Sequence, residues 1–274
     1  KTAYEIRLSL VGSEMCIRDR LRLSFSAIRD YKQCPLCYYL SRVRGLPAPD
    51  SRASSVGQLA HSILKAFYDD WARADSDGRP RPDVADLLRL GRTLFFRSLE
   101  SDQGVVRSQL DQLMAQLRTC HESMHDPEAH ILETERALRF RYALDGTHHD
   151  FTATVDRVDL LPEGGVLLID YKTGHATKRL LEPAKDDLQL AIYAMALAHT
   201  QPDAGPDAGH DAGHNTGHDA GDPVTPTGFA EYWCLSTGQK GRISLATLDQ
   251  DKVRAVIDDA ARGMLAGAFR RTPD

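Results

Sequence analysis

The stretch VDRVDLLPEGGVLLIDYKTG holds the residues of this chain best suited to chemistry: Asp156 and, beyond a turn, Asp170 and Lys172. Side chains alternate along a strand, so Asp170 and Lys172 share one face of VLLIDYK and Tyr171 takes the other. PEGG has hairpin-turn chemistry, and a hairpin closed through it brings Asp156 beside Asp170. Asp159 is a near rival for Asp156, but it faces the opposite side of its strand. Two carboxylates this close repel each other and hold a hard divalent cation well. Mg²⁺ prefers oxygen ligands and keeps waters for chemistry. Such an ion lowers the pKa of a bound water and polarises a phosphodiester. Lys172 can orient or help deprotonate that water, or neutralise charge building on the phosphate. Asp-x-Lys alone is common and is more simply a surface ion pair. Its place after VLLI speaks against that, because a run buried on both faces does not carry two charges without partners or a purpose.

The periodicity supplies a scaffold for these residues. HILETERALRFRYAL alternates, with Leu138, Phe140 and Tyr142 on one side, and predicts a strand. DFTATVDRVDLL predicts its neighbour, and VLLIDYK a buried central strand ending in charge. DDLQLAIYAMALAH predicts a helix, FAEYWCLS a strand, and the residues around 242–245 a further strand. A last helix over 249–268 carries Val253, Val256, Ile257, Ala260 and Met264 at helical spacing. Upstream, LSFSAIRDYKQCPLCYYL predicts one helix capped by Ser24 or Ser26, with Ile28, Tyr31 and Tyr38 on its apolar stripe. A Pro/Ser/Arg-rich linker over 47–55 precedes GQLAHSILKAFYDDWARA, an amphipathic helix with Leu59, Ile63, Ala66 and Phe67 on one side. Residues 83–125 predict two further helices, with Leu87, Leu90 and Leu94, then Leu110, Leu113 and Leu117, on their apolar faces.

The expected organisation is one α/β domain over 21–274. It has a helical part at 56–127, a catalytic core at 130–200, and strands with a C-terminal helix at 228–274. Residues 201–227 form a near-tetrapeptide Gly/Asp/His repeat with almost nothing apolar to bury, which predicts a disordered surface insertion without a function. Its His210, His214 and His218 recur at a helical metal-ligand spacing, but the recurring Gly opposes a helix at about 1 kcal/mol each. Residues 1–20, KTAYEIRLSLVGSEMCIRDR, look foreign. They resemble translated adapter read-through at the ends of metagenomic gene models, which would leave Cys16 without a role.

Several blocks together resemble the PD-(D/E)XK nuclease superfamily, in the branch of RecB-type exonuclease domains and CRISPR-associated nucleases. SFSAIRDYKQCPLCYYL is similar to the opening helix of that branch and GQLAHSIL to its Gly-x-x-x-His block. TVDRVDLL is similar to the first acidic block, LLIDYKTG to the Asp-x-Lys block and DLQLAIYAMAL to the Gln-x-x-x-Tyr block. The resemblance implies a restriction-endonuclease-like core, a central mixed β-sheet flanked by helices, with an N-terminal helical region. It implies His61, Asp156 and Asp170 as ligands of Mg²⁺ or Mn²⁺. Gln189 and Tyr193, one helical turn apart, would contact DNA or the lysine. Glu135 heads the first strand where the family often has a Glu, with Glu133 an equal rival and a plain surface acid the simpler reading. Ala153 replaces a common Gly, a small change. Many relatives hold an iron–sulfur cluster through one Cys near the opening helix and three near the C-terminus. Cys34 matches the first, and the chain stops at AFRRTPD, about where the others would begin. A cluster is therefore expected only in a longer native protein. Cys37 makes a Cys-x-x-Cys pair with Cys34, but a zinc ribbon needs a second pair.

The implied function is metal-dependent hydrolysis of DNA in repair or recombination, exonuclease rather than endonuclease, with a UvrD-type helicase fused or in complex. Two other readings stay open: a nuclease-fold module that binds DNA or a partner without cutting, and a zinc or redox protein using the cysteines and histidine repeat. The composition, 42% hydrophobic and 27% charged, suits an ordinary globular chain, and the net charge of −5 weighs mildly against a nucleic-acid partner. Arg22, Arg29, Lys32, Arg42 and Arg44 could form a local basic path or simply a solvated helix face. No apolar run approaches the roughly 20 residues of a membrane span. No secretory signal is evident, and five scattered cysteines do not make a disulfide scaffold, so cytoplasm is expected.

Overall fold

The computed structural model describes residues 20–46, 52–100, 107–199 and 227–270. All of the adapter-like segment except Arg20, and the repeat with His210, His214 and His218, lie outside the described residues.

Six strands form one mixed sheet: β1 (Arg22–Leu23), β2 (His130–Leu144), β3 (Thr147–Leu160), β4 (Val166–Lys172), β5 (Gly228–Cys234) and β6 (Gln239–Ser244). The long β3 organises it. β2 runs antiparallel along one edge of β3, from His130↔Leu160 to Leu144↔Thr147. The other edge is shared: β1 pairs parallel at Asp150 and Phe151, and β4 antiparallel at Arg157–Leu160. Beyond β4, β5 is parallel and β6 antiparallel. The turn between β3 and β4 is the predicted PEGG, with Gly164 at φ 87° and Gly165 at φ 85°. A Cβ on Gly165 would stand 2.8 Å from the Thr227 carbonyl oxygen, so both conformation and space demand glycine.

Helices cover both faces. On one lie α1 (Phe25–Gln33), α7 (Leu188–His199) and α8 (Gln250–Leu265), whose Ile28, Leu190 and Ile257 join Phe151, Val155, Leu168 and Tyr232 of the sheet in one core. On the other lie α3 (Arg52–Ser76), α4 (Val84–Glu100) and α5 (Leu110–Ser123), whose Ile63, Phe67, Leu87 and Leu117 pack with Ile169, Tyr171 and Trp233. Between α1 and α3 run α2 (Pro35–Tyr38) and a π-helical turn, Tyr39–Val43; between β4 and α7 comes the short α6 (Lys178–Leu181). The predicted elements recur here as a restriction-endonuclease-like α/β fold. Every residue from Gln189 to Ala196 of α7 is buried, so that helix has no solvent face on which to place its polar side chains.

Two details differ from expectation. The opening helix is broken at Cys34, whose extended backbone (φ −157°) follows from Pro35, which disfavours helical conformation in the residue before it. Ser24, not Ser26, caps it by accepting the Ala27 N–H at 3.1 Å. Helix α3 starts at Arg52, inside the expected 47–55 linker, of which residues 47–51 lie outside the described part.

Candidate active site

Asp156 owes its position to a paired irregularity in β2 and β3. Val155 belongs to the α1/α7/α8 core, whereas Arg157 packs on the opposite face against Tyr68 and Trp233. The strand thus changes which residues point to which face, and Asp156 lies between the two settings. Opposite it, Glu135 of β2 adopts φ 47°, while the pairs on either side, Thr134↔Arg157 and Arg136↔Val155, keep one register. The β3–β4 ladder ends at Arg157↔Ile169. One step further, where a backbone carbonyl would otherwise accept, Asp156 Oδ2 accepts the Tyr171 N–H at 2.7 Å. Its Oδ1 lies 3.1 Å from His61 Nδ1. His61 comes from α3, and Gly57 one turn earlier lets that helix approach the loop after β4: a Cβ there would stand 3.0 Å from Thr173 Oγ1.

Asp170 points to the other face, toward α7. Its Oδ1 accepts from Gln189 Nε2 at 2.5 Å and Tyr193 Oη at 2.7 Å. Its Oδ2 pairs with Lys172 Nζ at 2.5 Å. Lys172 donates to Gln189 Oε1 at 3.0 Å. His61, Asp156, Asp170, Lys172, Gln189 and Tyr193 therefore meet at the end of β4, where groups from both helical layers converge around the splayed strands. The site is closed below and open above: the Asp170 side chain is 5% exposed, while His61 and Lys172 are 30% and 26% exposed.

A supporting layer was not anticipated. Asp187 Oδ1 accepts the Gln189 and Leu190 N–H groups at 3.1 Å each, capping α7, and the Tyr232 hydroxyl at 2.7 Å. The Tyr232 ring lies 4.9 Å from the Lys172 ammonium. Asp187 thus fixes both the helix that holds Asp170 and the ring under the lysine. The signal was present in DDLQLAIY, since Asp just before an apolar helical run is a cap signature.

Charge shapes the protonation states. Burial pushes the Asp170 carboxyl up, Lys172 opposes this, and the Asp156 charge adds to it, leaving a net upward shift. Burial pulls the His61 imidazole down, but its hydrogen bond to Asp156 and the charges of Asp156 and Asp170 outweigh that, and it is raised. Tyr193 is held well above its usual value by burial, then by the charges of Asp170 and Asp156, so it stays a neutral donor.

The sequence profile of the PD-(D/E)XK nuclease superfamily matches residues 22–274. The chain belongs to the PD-(D/E)XK nuclease superfamily. No curated protein matches it. Among solved structures, the crystal structure of SSO0001 aligns over 73% of this chain and 86% of its own, at 15% identity and a TM-score of 0.33.

In this superfamily member the donor set has the chemistry for a divalent cation: two carboxylates and one imidazole. Among the described residues, His61, Asp156 and Asp170 are not drawn together into a group of three that could hold a metal ion.

The other candidate residues lie apart. Asp159 is buried on the opposite face, held by Arg157 at 2.7 and 2.5 Å. Glu133 pairs with Arg136 at 3.5 Å, and Glu135 is exposed. Cys34 is joined to Cys37 through their sulfurs. Cys120 lies in the core of the opposite face and Cys234 is buried at the end of β5, so no four-cysteine set surrounds Cys34 among the described residues. Of the basic path, Arg29 and Arg42 both pair with Asp30, at 2.8 and 2.7 Å, leaving Arg22, Lys32 and Arg44 at the surface. None of the described helices is long and apolar enough to cross a membrane.

Proposed function

We propose that this chain is a metal-dependent deoxyribonuclease that hydrolyses phosphodiester bonds at the end of β4. The reading is carried by one observation: Asp156 and Asp170 converge where β3 and β4 splay, with Lys172 against the inner acid and His61 against the outer one. His61, Asp156 and Asp170 would hold Mg²⁺ or Mn²⁺, which when bound supplies an acidified water and neutralises phosphate charge. Lys172, partly exposed, sits where it can meet a phosphate oxygen or orient a water. Gln189 bridges Lys172 and Asp170, and Tyr193 donates to Asp170, so α7 locks the acid and the ammonium in one geometry.

Exonuclease action, a role in DNA repair or recombination, a UvrD-type helicase as partner and a cytoplasmic location belong to the same proposal. They are supported by the RecB-like order of the sequence blocks. The test is cleavage of end-labelled single- and double-stranded DNA with Mg²⁺ or Mn²⁺. Asp170→Ala and Lys172→Ala are each expected to lower the rate at least about a hundredfold, the scale for removing a positioned electrostatic group. Undiminished cleavage by both variants would remove the site. DNA binding with no cleavage by the parent protein would favour a non-cutting module.

A further inference from the structure

The outer surface of the helical layer carries a groove of about 480 Å³ between α4 and α5. Its rim holds Arg89, Arg92 and Thr93 of α4 and Arg118 of α5. Arg89, Arg92 and Phe96 are spaced i, i+3 and i+7, so they line one face of α4. Phe96 is 39% exposed, and the Arg107 guanidinium stands 5.8 Å from its centroid. The groove is not part of the β4 site. Gln116 of α5 is buried and donates to the Thr173 carbonyl at 2.9 Å, next to Lys172. Arg118 comes two residues later, about 200° around the helix, and faces away.

The guanidiniums are available to a ligand. Arg89 pairs with Asp86 and Arg118 with Glu122, each on its own helix and well exposed. Exposed pairs of this kind contribute little and are readily exchanged for a stronger anion. Arg92 has no acidic partner among the described residues. Arginine matches phosphate bidentately, and an open aromatic beside a basic track is the means by which unpaired bases are held. A duplex hides its base faces and could not use Phe96 in this way. In a chain whose net charge is −5, this concentration of arginine is local.

We propose that this groove and the Phe96 ring further along α4 form a second nucleic-acid site that binds single-stranded DNA, with Arg89, Arg92 and Arg118 on phosphates and Phe96 stacked on a base. The choice of DNA rests on the nuclease reading; the binding itself does not need the metal. The experiment is fluorescence anisotropy of a labelled oligothymidylate with the full chain, in EDTA and over a series of NaCl concentrations. The variant R89Q/R92Q/R118Q is expected to bind at least about tenfold more weakly, with a log–log salt slope smaller by about 2, since each phosphate contact contributes roughly 0.7 for single strands. F96A is expected to weaken binding about fivefold or more with the slope unchanged. R92Q, which breaks no ion pair, is expected to show the same direction, and serves if the triple variant is unfolded. A matched duplex is expected to bind less tightly. Parental affinity and slope in R92Q and the triple variant would overturn the proposal, as would a duplex bound equally well and unaffected by F96A. If the parent cuts no DNA yet loses strand binding in these variants, the groove stands and the catalytic reading falls. If it cuts DNA while the variants bind like the parent, the reverse holds.

Discussion

One hairpin carries two charge clusters, one sealed under the α3/α5 layer and one at the end of β4 where both layers meet, and they are built to opposite ends. On the α3/α5 side, Arg157 and Asp159 form a bidentate pair with side chains only 1% and 6% exposed. The Arg157 guanidinium lies 4.1 Å from the Tyr68 ring centroid and 5.3 Å from that of Trp233. At the end of β4, Asp170 shares its oxygens among Gln189, Tyr193 and Lys172 on the α7 side, and Asp156 with His61 of α3 opens the site to solvent. The closed pair uses the cation that never deprotonates, and its charges are spent on each other. The open site uses a lysine with access to water and holds acids whose repulsion is unresolved by protein alone. The contrast is one of access: the Arg157–Asp159 pair is sealed from solvent, whereas the Asp170–Lys172 pair has a partly exposed ammonium.

The sharpest way to break the contrast is to remove half of the closed pair. Arg157→Met leaves Asp159 charged and buried, and is expected to lower stability by about 3–5 kcal/mol, read from the urea midpoint. Replacing both, as R157M/D159L, is expected to recover most of that loss, because the unpaired charge is gone. A double variant no better than the single one would mean that the pair is not the closed unit described.

The open site is expected to respond the other way. Burial raises the Asp170 carboxyl, so its stabilising contribution is full only below the unfolded value near 3.9 and is lost as pH rises through the folded one. Without metal, the ionised form of the acid therefore burdens the fold increasingly as pH rises. Asp170→Asn, measured in EDTA at pH 7, is expected to raise stability by about 1 kcal/mol while cleavage is lost, a trade typical of active sites. A lower thermal midpoint for D170N would contradict the reading of Asp170 as strained by its surroundings.

How much of this was legible follows from the period of each element. Strict alternation in VLLIDYK placed Asp170 and Lys172 together, and the PEGG turn placed Asp156 near them. The same alternation, carried naively through TVDRVDLL, does not explain why Asp156 turns into the gap between strands. That depends on the matched irregularity with Glu135, a tertiary event in two strands at once that a period-two pattern cannot register. Arg157 and Asp159 are two residues apart and so share a face, a spacing that allows their pairing but does not by itself distinguish a buried ion pair from a ligand acid. The break at Cys34 was written in Pro35, and the cap at Asp187 in DDLQ; local chemistry was there, but a smooth apolar stripe in one case and a functional block in the other drew the reading past it.

The smallest expected effect concerns His61. Burial lowers its pKa, but Asp156 and Asp170 together raise it more, so the fold gains from its protonated form fully below about 6.5 and loses that gain as pH rises through the folded value. In metal-free buffer, His61→Ala is expected to be more destabilising at pH 6 than at pH 9, by a few tenths of a kcal/mol, consistent with its partial exposure. Equal losses at both values would remove Asp156 as its partner.

The central claim is that the open face of this hairpin holds a divalent ion between Asp156 and Asp170, and calorimetric titration of Mn²⁺ into the full chain tests it most directly. The parent is expected to bind, and D156N and D170N each to lose that binding, while the groove variant R89Q/R92Q/R118Q retains it. An isotherm for D156N and D170N that matches the parent would contradict the claim.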